Sequence, residues 1–598
     1  MKIAPEANPI KVQLKNPIAH FLMRKLTKMD DWAGIYDRWM QQHRRPDRND
    51  PNKAQKFLDF ALGDLRVQLE LLNASGLDAV PRSGPLLIVA NHPLGALEGM
   101  LLSQLLLNIR PDLKVLVNEL LLKIPEFSDV FVGVDVFASS PQARNSSGLR
   151  TIHRHLAAGG ASLIFPAGTV SVLDRKSNTI ADAPWSPMIA RLALKHDAHC
   201  LPLFVHGLNP PSFYWAGLLH KLLRTALLGR AMLSHRGKRI AVSVGAVIEP
   251  TELAAVANAD AVIQYLRLCS DQLADNAAPA KATQALGAAT LAVQQDVAIA
   301  QMVAQIESLA SYQVAAHRDF AVYCAPYAAL GCVMRQIAIS RERTFREVSE
   351  GSGKELDQDR FDPFYWHLFA WDQKAQQLIG GYRLSKVDEL VASKDINHLY
   401  SRSLYHYDLA FVQRMGKAIE VGRSFICSAY QRQPHALDLL WKGIGAFIVK
   451  NPGYHTLFGC VSISKEYSLL ARKLLAETFL HHHGAHTSIR AAVRPSSPLS
   501  SKPPAWNTEF LAALVEIPIL NKIVGRLSGG KSVPILIRHY LALNGKFVSF
   551  TVNHGFNESL DGLILVDLRL TPEKYINRYF GDEGAQAFRA LHGVANAA

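Results

Sequence analysis

The chain has 598 residues, 49% of them hydrophobic and 19% charged. Single cores rarely grow past ~250–300 residues, so at least two domains are expected, and this composition excludes an overall disordered chain. The formal net charge of +14 calls for anionic partners. With no zinc-knuckle spacing and no basic run interleaved with aromatics, no nucleic acid is expected, and an anionic membrane surface or an acidic carrier protein is favoured.

Residues 1–60 are polar and charged. The opening MKIAPEANPI lacks the apolar core of a signal peptide. Even the apolar stretch Leu97–Ile109 carries Glu98 and is too short to span a bilayer. The expected location is therefore cytoplasmic, peripheral on the inner face of the membrane. Pro17–Met29 reads as an amphipathic piece with Arg24, Lys25 and Lys28 on the wet face, and as an ordinary capping helix before a membrane-surface one. Residues 61–252 read as an α/β domain, with short apolar runs at Leu86–Ala90, Ser162–Phe165, Cys200–Val205 and Arg239–Ile248 between longer helical segments. Residues 253–317, rich in Ala and Gln, read as a helical linker interrupted at Pro279. Residues 318–598 form a second α/β unit. There HLFAWDQKAQQLIGGYRLS is expected as two strands about a polar turn, and AIEVGRSFICSAY and TLFGCVSISKEY as further strands. Leu437, Leu440, Trp441, Ile444 and Ile448 recur at helical spacing after Pro434. The cysteines Cys200, Cys269, Cys324, Cys332, Cys427 and Cys460 form no C-x-x-C pair and are expected as buried free thiols.

In LLIVANHPLGALEGM, Asn91 and His92 follow a buried strand directly, and Glu98 lies one to two helical turns on. An imidazole so placed can take a hydroxyl proton, while the carboxylate fixes its tautomer and stabilises the imidazolium. GGASLIFPAGTVS at 159–171 adds a glycine turn whose backbone N–H groups, around Gly168 and Thr169, can hold an oxyanion. HCLPLFVHGLNP follows at 199–210. The order of these blocks resembles the lysophospholipid acyltransferase family, with its N-H-x-x-x-x-D and F-P-E-G-T-R-S motifs. The resemblance implies catalytic roles for His92 and Glu98 and substrate-binding roles for Asn91, Gly168 and Thr169. The His-to-acid spacing is one residue longer here, and the acid is Glu. Ala167 and Val170 stand where the family has the Glu and Arg that help bind the acceptor's phosphate, which argues against a phosphorylated acceptor. Arg144, Arg150, Asn209 and Arg224 are candidate replacement contacts.

The segment RERTFREVSEGSGKELDQDRFDPFYWHLFAWD at 341–372 is dense in charge. Asp357, Asp359 and Asp362 lack the glycine and glutamate offsets of a calcium loop. With R-x-x-T-F-R, F-D-x-x-x-x-H-L, G-x-Y-R-L, IEVGRSFICSAYQRQPHALDLLWKGIG and L-F-G-x-V-S-I-S, the region Asp319–Phe580 resembles the ornithine-acyl-carrier-protein N-acyltransferase family. That family is similar to acyl-homoserine-lactone synthases and has an N-acetyltransferase-like (GNAT) fold. The two-domain layout resembles the bifunctional ornithine lipid synthases. The resemblance implies that the second domain transfers a 3-hydroxyacyl group from acyl carrier protein to the α-amine of ornithine, and that the first esterifies the 3-hydroxyl of the resulting lyso-lipid. The donor is then a carrier-bound thioester, with no other cofactor. Ornithine's ammonium must lose a proton before attack. Glu420, beside Arg423 and Ser424, is the candidate base, with an ion pair to Arg423 as its structural alternative. Arg341 and Phe345 match the block that folds over the acyl-phosphopantetheine tunnel, and Asp362, His367 and Arg383 match further family positions. Gln433–Pro434 after Arg432 lacks the glycines of a pyrophosphate loop, which fits a carrier-protein donor better than coenzyme A. His481–His483 and His486 read as a solvated loop, not a metal site. The alternative function is a lysophospholipid O-acyltransferase fused to an N-acyltransferase for glycine, glutamine or lysine.

Overall fold

The computed structural model describes residues 8–11, 21, 24–43, 50–134, 141–174, 179–256, 258–277, 290–433, 435–499 and 506–593. The chain forms two compact units, one of residues 1–283 with 502–513, the other of 284–501 with 514–598.

The first unit contains β1 (Gln68–Leu71), β2 (Leu86–Ala90), β3 (Lys114–Asn118), β4 (Phe131–Val134), β5 (Ala161–Ile164), β6 (Val172–Asp174), β7 (Thr179–Ala181), β8 (His199–Val205) and β9 (Arg239–Val244). Seven of these form one sheet in the order β1-β9-β8-β2-β5-β3-β4, and β6 and β7 pair as a separate ribbon. All neighbours in the large sheet are parallel except β8 and β9. β2 is central and every residue of LLIVA is buried, which is why the run shows no alternation. β5 and β8 flank β2 on opposite sides. In such open sheets a crevice forms at the carboxyl ends of the strands where the order reverses. The loops after β2 and β5 carry the two blocks singled out in the sequence.

The second unit contains β10 (Gln313–His317), β11 (Phe320–Pro326), β12 (Trp366–Asp372), β13 (Gln377–Lys386), β14 (Tyr405–His406), β15 (Ala418–Ile426), β16 (Thr456–Ile463), β17 (Arg494–Pro495), β18 (Lys546–Asn553) and β19 (Ser559–Asp567). Eight of them form a sheet in the order β10-β11-β12-β13-β15-β16-β19-β18, with β14 and β17 pairing separately. The parallel pair β15/β16 requires a crossover, which the helix His435–Lys450 supplies. This pair is hydrogen-bonded only from Ala418–Glu420 against Thr456–Phe458. Beyond Glu420 the two strands part and leave a wedge in the middle of the sheet. The register of β15 against β13 also shifts between Gly381 and Arg383, where Arg423 takes a positive φ of 52°, the mark of a local bulge.

The expected linker 253–317 is not one helix. Ala259–Asp271 is helical and belongs to the first unit: Tyr265, Leu266 and Cys269 are buried, and Ser270 Oγ donates to Leu203 O at 2.6 Å. Residues 278–289, with Pro279, lie outside the described residues. Residues 290–298 form no helix. Leu291 N and Gln294 N donate to the carbonyls of Gly353 and Glu355, and Val297 N to Gln336 Oε1. Backbone donors engaged elsewhere cannot close helical turns, whatever the Ala content. Ile299–Ser308 is helical again, and its Met302 and Ile306 join the core of the second unit. Of the six cysteines, all free, only Cys200, Cys269 and Cys324 are buried, a correction to the expectation for Cys332, Cys427 and Cys460. Of the expected amphipathic piece at Pro17–Met29, residues 17–20 and 22–23 lie outside the described residues, as does Pro434. A helix does follow at Met29–Gln42. No helix among the described residues is long and apolar enough to cross a membrane.

Candidate active sites

In the first unit His92 lies in the turn between β2 and the helix Ala96–Leu107. Its Nδ1 stands 2.7 Å from Glu98 Oε1, and Glu98 is fully buried while the His92 side chain keeps partial access to solvent. Glu98 Oε1 also accepts the backbone N–H of Leu94 at 3.0 Å, so the carboxylate closes the turn it serves. The imidazole stacks on Phe165, with centroids 4.5 Å apart. Glu98 on Nδ1 leaves Nε2 as the nitrogen free to take a proton. Asn91, expected against substrate, spends its amide on β8: Nδ2 donates to Val205 O at 3.0 Å, and Oδ1 accepts from Val205 N at 2.7 Å. Asn209 donates to Pro93 O at 2.9 Å and thereby braces the same turn. Gly168 (φ 65°) and Thr169 lie exposed at the end of β5, and Gly168 N–H closes back on Phe165 O. The Arg144 side chain lies outside the described residues. Arg224 is half-buried.

Asp182 was not anticipated. Its carboxylate accepts the backbone N–H of His92 at 3.2 Å, the Ser171 hydroxyl at 2.6 Å and the Trp185 indole N–H at 3.1 Å. Ser171 N in turn donates to His92 O at 2.8 Å. Asp182 therefore ties the His92 turn to the FPAGTVS loop. No local motif announces it, because it lies 90 residues from His92 in sequence.

In the second unit three arginines meet three aspartates. Arg341 on the helix Cys332–Glu347 donates to both oxygens of Asp362 at 3.1 and 3.0 Å, and its Nε lies 3.2 Å from Asp357. Arg383 on β13 contacts Asp359 at 2.8 Å and Asp362 at 3.0 Å. Arg423 on β15 contacts Asp357 at 3.1 Å and Asp359 at 3.2 Å. Burial pulls the Asp362 carboxyl up, but the Arg341 and Arg383 charges outweigh it and hold it well below the usual carboxylate range. Buried charges persist only when so matched. Arg383 also faces the rings of Tyr365 at 5.0 Å and Tyr400 at 4.8 Å. His367 Nε2 meets Asp362 O at 3.1 Å, and burial brings its imidazole down to about 4 against the opposing pull of Asp362. Arg341, Asp362, His367 and Arg383 are thus buried together, as a frame behind the wedge. Phe345 packs edge-on against Phe556 at 4.9 Å.

Glu420 is buried at the last position of β15 that pairs with β16. Its oxygens accept the backbone N–H groups of Tyr400, at 3.0 Å, and Ser401, at 2.7 Å, and the hydroxyl of Tyr365. Arg423 turns instead to Asp357 and Asp359. The carboxylate of Glu420 anchors the 400–401 loop over the sheet.

Past Glu420 the parted strands present Gly422, Arg423 and Ser424 from β15, and Cys460 and Ser462 from β16, all half-buried, while Val461 and Ile463 turn into the core. The Arg423 guanidinium lies 4.9 Å from the Tyr400 ring and 5.0 Å from the Phe556 ring. Two carboxyl groups missed in the sequence border this wedge. Glu350 accepts from Ser462 Oγ at 2.9 Å, and burial together with Asp561 pushes it up to about 8. Asp561 accepts from Asn553 at 2.9 Å and Ser559 at 2.8 Å, and burial raises it as well. The signal for Asp561 was available: an acid inside SLDGLILVD, where every neighbour is apolar or small. Glu350 sits in a stretch that reads as a solvated loop. A separate cavity of about 360 Å³, lined among others by Met302, Ser340, Trp371 and Cys427, holds none of these arginines or aspartates.

Residues 59–277 match the family described as acyltransferase, and residues 340–442 the acetyltransferase (GNAT) domain. Among curated proteins, the chain is similar to a glycine N(alpha)-acyltransferase of Phocaeicola vulgatus, 27% identical over 259 residues, or 41% of this chain and 79% of the relative. It is similar to the protein of the same name from Bacteroides thetaiotaomicron, 28% identical over 254 residues, covering 39% and 73%. It is also similar to a lyso-glycine lipid O-acyltransferase of Phocaeicola vulgatus, 27% identical over 200 residues, covering 32% and 67%. With these matches and the two sites described, the chain is an acyltransferase that carries an acyltransferase module and a GNAT module in one polypeptide.

Proposed function

We propose that the chain builds a two-chain amino-acid lipid. In the GNAT module an amino acid's α-amine attacks the carbonyl carbon of a 3-hydroxyacyl thioester; the C–N bond forms, the C–S bond breaks, and the thiol leaves. In the acyltransferase module His92 Nε2 takes the proton of the 3-hydroxyl as that oxygen attacks the carbonyl carbon of a second acyl thioester, with Glu98 stabilising the imidazolium; the C–O bond forms, the C–S bond breaks, and the imidazolium returns its proton to the departing thiolate. The observation that carries this reading is the His92–Glu98 contact at the crevice edge of the central strand. Its coexistence with a GNAT module supports the pairing, and separate relatives are named for an N-acylation and for an O-acylation of its lyso product.

Arg423 in the wedge suits an amino acid's carboxylate, and Glu350 suits acceptance of the amine's proton, directly or through a water. Acyl carrier protein as donor and an anionic membrane surface as workplace fit the +14 charge. Two amino acids are supported. Glycine is named by the relatives. Ornithine is implied by the motifs of Asp319–Phe580, and Asp561 supplies an acidic group for a second ammonium. The test is a competition: purified chain, 3-hydroxyacyl carrier protein and equal glycine and ornithine, with products identified by mass spectrometry. Amide formed with neither amino acid overturns the reading.

A further inference from the structure

We infer that the helical hairpin Pro211–Leu233 is the surface on which the acyltransferase unit seats against an anionic lipid layer. This rests on the reading that the ester-forming step has a lipid acceptor. The hairpin consists of the helices Pro211–Leu219 and Lys221–Leu233, joined at His220. Its inner side is apolar: Phe213, Tyr214 and Ala231 are buried with Val170, and Leu227 and Leu228 pack against them. A Cβ on Gly95 would stand 2.5 Å from Leu228 Cδ1, so the hairpin rests directly on the turn that presents His92.

Its outer side is apolar too. Trp215 is 66% exposed and Leu219 81%, and Leu208 and Leu223 lie open beside them. A helix that is apolar on all sides is stable in water only when both sides are covered. Protein covers one side here. The charge around the other selects its cover: from Ala198 to Ile248 the sequence has no Asp or Glu, but has Lys221, Arg224, Arg230, Arg236, Lys238 and Arg239. Exposed large apolar side chains on a hairpin that carries Arg224 and Arg230 and no acidic residue match an anionic interface, where tails meet the former and headgroups the latter. An exposed tryptophan such as Trp215 suits the boundary between the two. The acceptor's hydroxyl can then reach His92 while its chains remain in the layer.

The test uses the full chain and vesicles of phosphatidylcholine with and without phosphatidylglycerol. The parent is expected to sediment with the anionic vesicles, and brominated lipid to quench a fluorescence component absent from Trp215→Phe. Trp215→Glu with Leu219→Glu is expected to bind about tenfold or more weakly, and to lose esterification of a vesicle-held acceptor. Its kcat/KM on a short-chain, water-soluble acceptor should stay within about twofold of the parent, which also shows that it folds. Unchanged vesicle binding by the double variant overturns the proposal. So does a double variant that shifts from dimer to monomer without loss of vesicle binding, since the patch would then face a second copy. A parent that docks through the hairpin but esterifies no lyso-lipid leaves the surface standing and removes the acceptor reading.

Discussion

His92 depends on two carboxylates with different tasks. Glu98 meets the ring nitrogen at 2.7 Å, and Asp182 holds the backbone N–H. Replacing His92 by Ala is expected to slow ester formation by roughly 10²–10⁴-fold and to leave amide formation intact. Mass spectrometry should then show mono-acylated, amide-linked lipid accumulating, and an unchanged di-acylated product would remove the assignment. In the GNAT module Glu350 and Glu420 make opposite predictions. If Glu350 takes the amine's proton, it must be ionised, so the amide-forming rate should climb as pH passes about 8. Glu350→Gln should abolish that limb. Glu420→Gln keeps the size of an anchor that holds Tyr400 and Ser401, so it should lower the rate while the limb persists; loss of the limb in this variant alone would return the proton to Glu420. His92 and Glu98 were legible because strand, turn and helix place them within seven residues. Asp182 and Glu350 were not, since long-range folding delivers them, whereas Asp561 stood out as an acid inside an apolar strand.

At the scale of elements the wedge is held by close backbone approach. Gly459 on β16 lies against β15 so tightly that a Cβ would stand 1.9 Å from Val421 O, a backbone atom that cannot swing aside. Gly459→Ala is expected to push the strands apart at the base of the wedge, at a cost of about 1–3 kcal/mol or more. Thermal unfolding should show the loss, with amide formation falling while esterification of supplied lyso-lipid persists; an unchanged melting curve would mean that the strands yield freely. The frame behind the wedge carries a pH signature. His367 has a folded pKa of about 4, below its ordinary 6.5. Its contribution is therefore fully present above pH 6.5 and is lost as pH falls through 4, for a total of about 3 kcal/mol. His367→Gln should flatten the fall in stability between pH 6.5 and 4, and a slope equal to the parent's would sink this account. Strands such as β2, β12, β13 and β16 were legible from apolar runs and turn residues. The parting of β15 from β16 was not, because strand pairing is absent from the sequence of either strand. The Ala-rich stretch misled for the same reason: its local helix propensity was overruled at 290–298 by backbone bonds to residues 336, 353 and 355.

At the scale of the whole molecule, two domains followed from length, and their chemistry from two separate sets of motifs. The return of residues 506–513 to the first unit, where the helix Thr508–Ala512 packs on Ala259–Asp271, did not. An element that rejoins a distant unit carries no mark of its destination. On the proposed function, the amide-linked chain is formed first and its 3-hydroxyl is esterified second, as the separate N-acylating and lyso-lipid O-acylating relatives suggest. On that reading the intermediate is an amphiphile with one long chain, and it is expected to partition reversibly into membrane. A lipid layer then serves as a shared pool. His92→Ala, which makes the amide, and Glu350→Gln, which keeps an intact His92, should each fail to make the di-acylated lipid. Mixed in equal amounts on anionic vesicles, they should restore it, since the intermediate from one chain can reach His92 of another. Separate vesicle populations with no exchange should abolish the rescue. If the mixture stays inactive although Glu350→Gln converts lyso-lipid supplied from outside, the intermediate passes only within one chain. The fusion of the two modules would then be a conduit and not merely a means of equal supply.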